Sequence, residues 1–277
     1  NIADQKPTSW NKVRSRLRTF FEFCSRRGWV DQDLLIDIRP KRVVREQRLQ
    51  LTAGELQQLL GVPDPRERAL ISVAMNTGLR ASTITSLRVK DVDLQSGSLH
   101  VVVTKSAYED QLPITSDLDR ELGSWLITYA QEIGRPLAPD DYLVPSRGLR
   151  RNRMIDGRWT GSWGDLEPNV RIVHAAAIIK RALERQLGIT TVKGEGIHTV
   201  RRSVARIVFE QASSQGHDGA LRVAAALLGH SSTAATEIYL GVSADRRKRD
   251  DLMRGRSLFP DDANVVRLLD HRFAAEA

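Results

Sequence analysis

Five short stretches of this 277-residue chain hold side chains whose types and spacing suit chemistry at a phosphate: Thr77-Gly-Leu-Arg80, Thr104-Lys105, His198-Thr-Val-Arg201, Leu228-Gly-His230-Ser-Ser, and Tyr239 nine residues after His230. Two guanidinium forks, on Arg80 and Arg201, can each donate two parallel hydrogen bonds to phosphodiester oxygens. During displacement at phosphorus those oxygens gain negative charge in a pentacoordinate phosphorane, and fixed cations there lower the barrier without a metal. Tyr239 brings a phenol of ordinary pKa about 10, which attacks well at neutral pH only beside a base or cations. His198 stands three residues before Arg201, so one helical turn aims both at the same phosphate. Lys105, where a Val-rich strand ends, carries a proton that a departing oxygen needs. The chemistry this set suits is transfer of a phosphate ester onto a tyrosine oxygen, with the bond energy kept for a later rejoining. Each tri- or tetrapeptide alone is a weak signal; their order and spacing carry the weight.

These side chains must be brought together by the elements beneath them. Trp10, Val13, Leu17, Phe20, Phe21 and Cys24 recur at helical spacing, which predicts a helix over Trp10–Arg27 ending at Gly28. A second short helix is expected over Asp31–Ile38, stopping at Pro40. Residues 41–50 show no period and read as a linker. Thr52 and Glu55 form a capping box for the next helix. Helices follow over Glu67–Asn76 and from Arg80 through Leu87. Leu99–Thr104 and Gln111–Ile114, with six residues between them, predict a β-hairpin. From Asp117 the pattern is helical. It is broken near Pro136–Pro145 and again by a Gly-, Arg- and Trp-rich stretch, Arg147–Pro168, read as loop. Further helices are expected over Val170–Leu187, Thr199–Gln211, Ala220–Leu228 and Thr233–Tyr239. Arg201 is expected to open its helix, whose positive end would add to an anion site. The fold class is mainly α with a small antiparallel β-sheet.

Composition limits the partners. The hydrophobic fraction is 41% and Cys24 is the only cysteine, which rules out an internal disulfide and any Cys-based metal cluster. No apolar run reaches membrane-spanning length and no signal peptide is visible, so a cytoplasmic setting with no membrane partner is expected. The formal charge is +8, of which residues 1–50 carry +6, so the N-terminal piece is the one suited to a polyanion.

The five stretches together resemble the tyrosine recombinase (phage integrase) family, strongly over residues 51–245 and more weakly over 8–40. The resemblance implies a tyrosine-recombinase catalytic domain preceded by a small or truncated helical core-binding domain. In these terms residues 1–40 are the partial core-type DNA-binding domain, 41–50 the linker, 51–257 the catalytic domain and 258–277 a tail helix. It implies a site-specific DNA recombinase that cleaves and rejoins DNA through a 3′-phosphotyrosine, without cofactor or metal. The catalytic set is then Arg80, Lys105, His198, Arg201, His230 and Tyr239. Tyr239 is the nucleophile and His198 exchanges a proton with it. The two arginines and His230 bind the phosphate, and Lys105 protonates the leaving 5′ oxygen. Double-stranded DNA attachment or core sites are the implied partners, bound by a homotetramer, with accessory DNA-bending or directionality factors and a location at the bacterial nucleoid.

One position departs from the family pattern: where many relatives carry an acidic residue three places after the first arginine, this chain has Thr83. His100, His174, His217 and His271 match no motif. A type IB topoisomerase or telomere resolvase would need extra domains for which there is little room. A catalytically inactive DNA-binding protein on the same fold has no reason to keep Lys105 and Tyr239, and no ligand cluster suggests a metal nuclease. Within the family, 38 residues beyond Tyr239 favour an integrase of a phage or mobile element over a chromosome-dimer resolvase. In that tail Val265, Val266, Leu268, Leu269 and Phe273 form an apolar stripe that must dock, either on its own domain or, as the family resemblance favours, on a neighbouring subunit.

Overall fold

The computed structural model describes residues 6–30, 34–35, 37–43, 48–103, 108–148, 151–155, 158–162, 164–190, 195–216, 219–230 and 232–241. Lys105, His217 and the tail stripe lie outside the described residues. The chain divides into two compact units, residues 1–47 and 48–277.

In the first unit α1 spans Pro7–Arg26, with proline at its start, where a missing N–H costs no helical bond. The helix ends as Gly28 turns left-handed (φ 69°), and the Trp29 N–H reaches back to the Cys24 carbonyl at 3.0 Å. The Asn11 side-chain amide holds the Lys41 backbone through both its N–H and its carbonyl, each at 2.8 Å, so the chain returns beside the start of α1. Of the second short helix expected here, Leu34, Leu35 and Asp37 form turns.

The second unit opens on the expected capping box. Thr52 Oγ1 accepts the Glu55 N–H at 3.2 Å, and the Glu55 carboxylate accepts the Thr52 N–H at 2.7 Å. This starts α2, Ala53–Gln58. After a single 3-10 turn, Asp64 caps α3, Pro65–Thr77, by accepting the Arg66 N–H at 2.9 Å. Residues Ala69 to Ala74 of α3 are buried without a break, as the central helix of a domain requires. Against it lies α5, Ser116–Ile133, which buries Leu118, Leu122, Trp125 and Tyr129 along one stripe. The other helices are α4 (Ala81–Ile84), α6 (Ala175–Leu187), α7 (Ile197–Ser214), α8 (Ala220–Leu227) and α9 (Thr233–Leu240).

The strands differ most from the sequence expectation. β1 (Val92–Asp93), β2 (Ser98–Val103) and β3 (Tyr108–Pro113) form one antiparallel sheet in that order. Leu99 and Val101 point into the core while His100 and Val102 face out. β3 begins three residues earlier than its apolar content suggests, because its polar start, Tyr108-Glu-Asp110, pairs through main-chain bonds that hydropathy does not register. The stretch read as loop holds two further antiparallel pairs. β4 (Pro145–Arg147) pairs with β7 (Leu166–Arg171), and β5 (Arg151–Ile155) with β6 (Arg158–Ser162). The described residues thus carry three small sheets where one was expected, and α6 starts five residues late because Val170 belongs to β7.

Two apolar clusters result. The larger gathers α2, α3, α5, α6, the first sheet and the first half of α7. The smaller is rich in alanine: Ala205, Phe209 and Ala212 of α7 meet Ala220 and Ala224 of α8, Leu228, and Leu240 of α9. Residues 48–51 run along this assembly. The Leu51 N–H donates to Ser203 Oγ at 2.7 Å and Gln50 Nε2 to the Leu240 carbonyl at 2.7 Å. These residues are aperiodic because side chains of α7 satisfy their main chain, not a helix or ladder of their own, while the Gln50 side chain ties them to the end of α9. No helix among the described residues is long and apolar enough to cross a membrane.

Candidate active site

Arg80 stands at a break in the chain. Gly78 ends α3 in the left-handed conformation (φ 61°), which a side chain rarely adopts. Arg80 then takes extended geometry as the N-cap residue of α4. Its carbonyl accepts the N–H groups of Thr83 and Ile84 at 3.0 Å each. Thr83, in the place of the family's acidic residue, is buried. α4 is held from below by Arg171 of β7, whose guanidinium donates to Thr85 Oγ1 at 3.0 and 2.7 Å and to the Ser82 carbonyl at 2.6 Å. Among the described residues the Arg80 side chain has no hydrogen-bond or ion-pair partner.

Arg201 is 4% exposed and sits in the second turn of α7, not at its opening. That place falls to His198, because α7 begins two residues earlier than its apolar period indicates. The Arg201 guanidinium donates to the carbonyls of Gly78 and Leu228, tying the end of α3 to the end of α8. Burial first, and the neighbouring Arg80 charge second, push its pKa down to about 10. Among the described residues no carboxylate pairs with either guanidinium. Two like charges held together without a counter-ion make a site that gains energy by taking up an anion.

His230 and Tyr239 complete the group. α8 ends in a left-handed Gly229 (φ 54°), and the His230 N–H reaches back to the Ala225 carbonyl at 3.0 Å. The imidazole is thereby freed from capping. Its Nδ1 shares a 3.0 Å hydrogen bond with Thr236 Oγ1, and its ring meets that of Tyr239 edge-on, 5.5 Å between centroids. Ser232 caps α9 by accepting the Ala235 N–H at 3.3 Å, which fixes Tyr239 in the last turn of a two-turn helix. The Tyr239 hydroxyl donates to the His198 carbonyl at 3.2 Å. On balance the phenol pKa is raised: burial pushes it up, and Arg201, Arg202 and Arg80 offset this only in part. Burial, followed by the positive charges of Arg201 and its neighbours, lowers the pKa of both His198 and His230. Both shifts favour the neutral imidazole, the form that can accept a proton.

Five of the six expected residues therefore converge on one site in the second unit, while the structure does not describe Lys105. Sequence reasoning missed three contributors: Arg171 beneath α4, Thr236 behind His230, and Arg202, whose guanidinium lies 5.7 Å from the centre of the Tyr239 ring. Thr236 could have been found from its place one helical turn before Tyr239. Arg171 has no local signal, since its partners lie more than 80 positions away in sequence.

Residues 50–246 match the model of the phage integrase family. The chain belongs to that family. Tyrosine recombinase XerD of Proteus mirabilis is 30% identical over 258 residues, covering 88% of this chain and 71% of the relative. Tyrosine recombinase XerC of Chlamydia muridarum is 28% identical over 260 residues, covering 90% and 73%. Two solved structures share the fold at 21% identity. XerA recombinase has a TM-score of 0.54 over 91% of this chain and 78% of its own. A lambda integrase (75–356) dimer bound to a COC′ core site has 0.57 over 93% and 78%. Membership in the phage integrase family places the chain among the tyrosine recombinases, a class of DNA strand-transfer enzymes.

Proposed function

We propose that this chain is a site-specific DNA recombinase that cleaves and rejoins DNA through a 3′-phosphotyrosine at Tyr239, in the integration or excision of a phage or mobile element. The observation that carries this reading is the cluster of Arg80 and Arg201, unpaired with any carboxylate among the described residues, beside a half-buried phenol and two imidazoles. The phosphodiester oxygens lie between the two guanidinium groups, with His230 as a third donor. Tyr239 transfers its proton to His198 as its oxygen attacks phosphorus. The P–O5′ bond breaks, and the departing oxygen takes a proton from Lys105. The free 5′ hydroxyl of the partner strand then reverses these steps, so religation needs no ATP.

Double-stranded core DNA is the proposed partner, and a ring-like homotetramer the proposed working assembly. A lambda integrase tetramer bound to a Holliday junction is among the structures of the same fold. A second reading, resolution of chromosome dimers, has one observation in its favour: the curated relatives named above carry Xer names and not integrase names. The test is incubation with nicked suicide duplexes carrying either a candidate attachment core or a candidate chromosomal core. A covalent protein–DNA adduct forms, persists in EDTA, and on this proposal prefers the attachment core. Preference for the chromosomal core moves the chain to the second reading. Strict dependence on Mg²⁺, or no adduct on any core that the protein binds, ends the recombinase reading.

Lys105 is tested by chemistry at its target atom. A substrate with sulfur in place of the departing 5′ oxygen leaves well without a proton. Lys105→Ala is slow on ordinary DNA and close to wild type on the sulfur substrate, measured as single-turnover cleavage rates. Equal defects on both substrates assign Lys105 to DNA binding.

A further inference from the structure

Arg202 is 1% exposed, and its side chain is among the largest that are fully buried in the protein. A buried guanidinium costs several kcal/mol in lost hydration unless its donors and its charge are used. One use is visible: Nη1 donates to the Leu49 carbonyl at 2.6 Å, on the segment whose next residue, Gln50, holds the Leu240 carbonyl at the end of α9. The carboxylate of Glu195 is 3.5 Å away, at the limit of a hydrogen bond, and also accepts the Thr199 hydroxyl. Nη2 is buried and has no hydrogen-bond partner among the described residues. The charge is thus only partly answered by its ion pair. Its Cζ lies over the Tyr239 ring, 5.7 Å from the centroid.

We propose that Arg202 is a positioning residue for the strand-transfer reaction, holding the Tyr239 ring in place by a cation–π contact and keeping a fixed positive charge against it. The proposal rests on the assignment of Tyr239 as nucleophile. A cation over a phenol ring is attracted by the π-electrons. It is attracted more strongly by the electron-rich phenolate that forms as the proton leaves, so the contact tightens along the reaction. The groups facing Tyr239 divide the work. Arg201 of α7 and Arg80 before α4 serve the hydroxyl and the phosphate, and His230 meets the ring edge. Arg202 serves the ring. The tie from Arg202 to Leu49 and the tie from Gln50 to Leu240 make residues 49–50 a brace that joins this cation to the helix carrying its target.

The experiment reads the phenol directly in the full chain without DNA. The protein has four tyrosines; with [¹³Cζ]tyrosine incorporated, the Tyr239 resonance is identified by its loss in Tyr239→Phe and followed from about pH 8, below the ordinary phenol range, up to the alkaline limit at which the fold holds. Arg202→Gln keeps a donor for the Leu49 carbonyl and removes the charge; Arg202→Met is the second neutral variant, and Arg202→Lys keeps the charge. The Tyr239 titration curve moves to higher pH by about one unit or more in the neutral variants, a tenfold change in ionisation. It stays within about half a unit of wild type in Arg202→Lys. Single-turnover cleavage at pH 7 falls by at least about tenfold in the neutral variants while core-DNA affinity holds. An unmoved curve in a folded neutral variant, a shift of equal size in Arg202→Lys, or failure of both neutral variants to fold assigns Arg202 to the core and overturns the proposal. Absence of cleavage by the wild-type protein bears on the recombinase reading alone, because the titration needs no substrate.

Discussion

Tyr239→Phe binds core DNA with unchanged affinity and forms no covalent adduct. The substitution removes one oxygen and leaves the ring, so the edge contact with His230 and the face contact with Arg202 survive. The lost bond, from the hydroxyl to the His198 carbonyl at 3.2 Å, is a partly exposed one of about 1 kcal/mol, too small to unfold the domain. Chemistry is lost altogether because none of the other three tyrosines, Tyr108, Tyr129 and Tyr142, follows a histidine at the spacing of Tyr239 from His230, and two have other engagements. Tyr129 is fully buried, stacked on Trp125 at 5.1 Å, and burial pushes its phenol far up. Tyr142 lies under the Arg88 guanidinium at 4.7 Å, its main chain bridged to Arg88. Denaturing gel electrophoresis with end-labelled suicide DNA reads the result. An adduct surviving in Tyr239→Phe moves the nucleophile elsewhere and removes the centre of the proposed mechanism.

The two arginines separate by their effect on the fold. Arg80→Ala and Arg201→Ala each slow cleavage by about 10²–10³-fold or more, the cost of losing a donor aimed at developing negative charge. Only Arg201→Ala also lowers thermal stability. The Arg201 guanidinium holds the buried carbonyls of Gly78 and Leu228, and orphaning two such acceptors costs about 1–3 kcal/mol each. The Arg80 side chain has no such partner among the described residues, so its removal relieves charge repulsion and leaves packing intact. A neutral methylphosphonate at the scissile position separates charge from shape, since it carries one fewer anionic oxygen to neutralise. It restores part of the cleavage to the alanine variants. Unchanged stability in Arg201→Ala contradicts its place as a tie between α3 and α8. No recovery with either methylphosphonate stereoisomer shows that the arginines hold structure and do not neutralise charge.

Residue types and their order were enough to point to the family, because the chemistry proposed for it calls for such side chains. Charge on a phosphorane calls for guanidinium forks, a phenol calls for a nearby base, and Thr77-Gly-Leu-Arg80, His198-Thr-Val-Arg201 and His230 with Tyr239 are read without knowing the fold. Helices were legible for a similar reason. Burying one stripe of a helix imposes a local period, and caps such as Thr52 with Glu55 lie within four residues of each other. Of the sheets within Arg147–Pro168, the β4–β7 ladder joins segments with a long insertion between them and leaves no local signal, whereas the β5–β6 hairpin was overlooked although Asp156-Gly157 stands in sequence between its two polar, Arg-rich strands. The supports of the site were hidden too. Arg171 reaches the residues beneath Arg80 from more than 80 positions away. Arg202 follows Arg201 directly, and consecutive residues on a helix point about 100° apart, so sequence alone gives no reason for both to serve one tyrosine. Only the packing of α9 against α7, braced by residues 49–50, brings Tyr239 to where one arginine meets its oxygen and the other its ring.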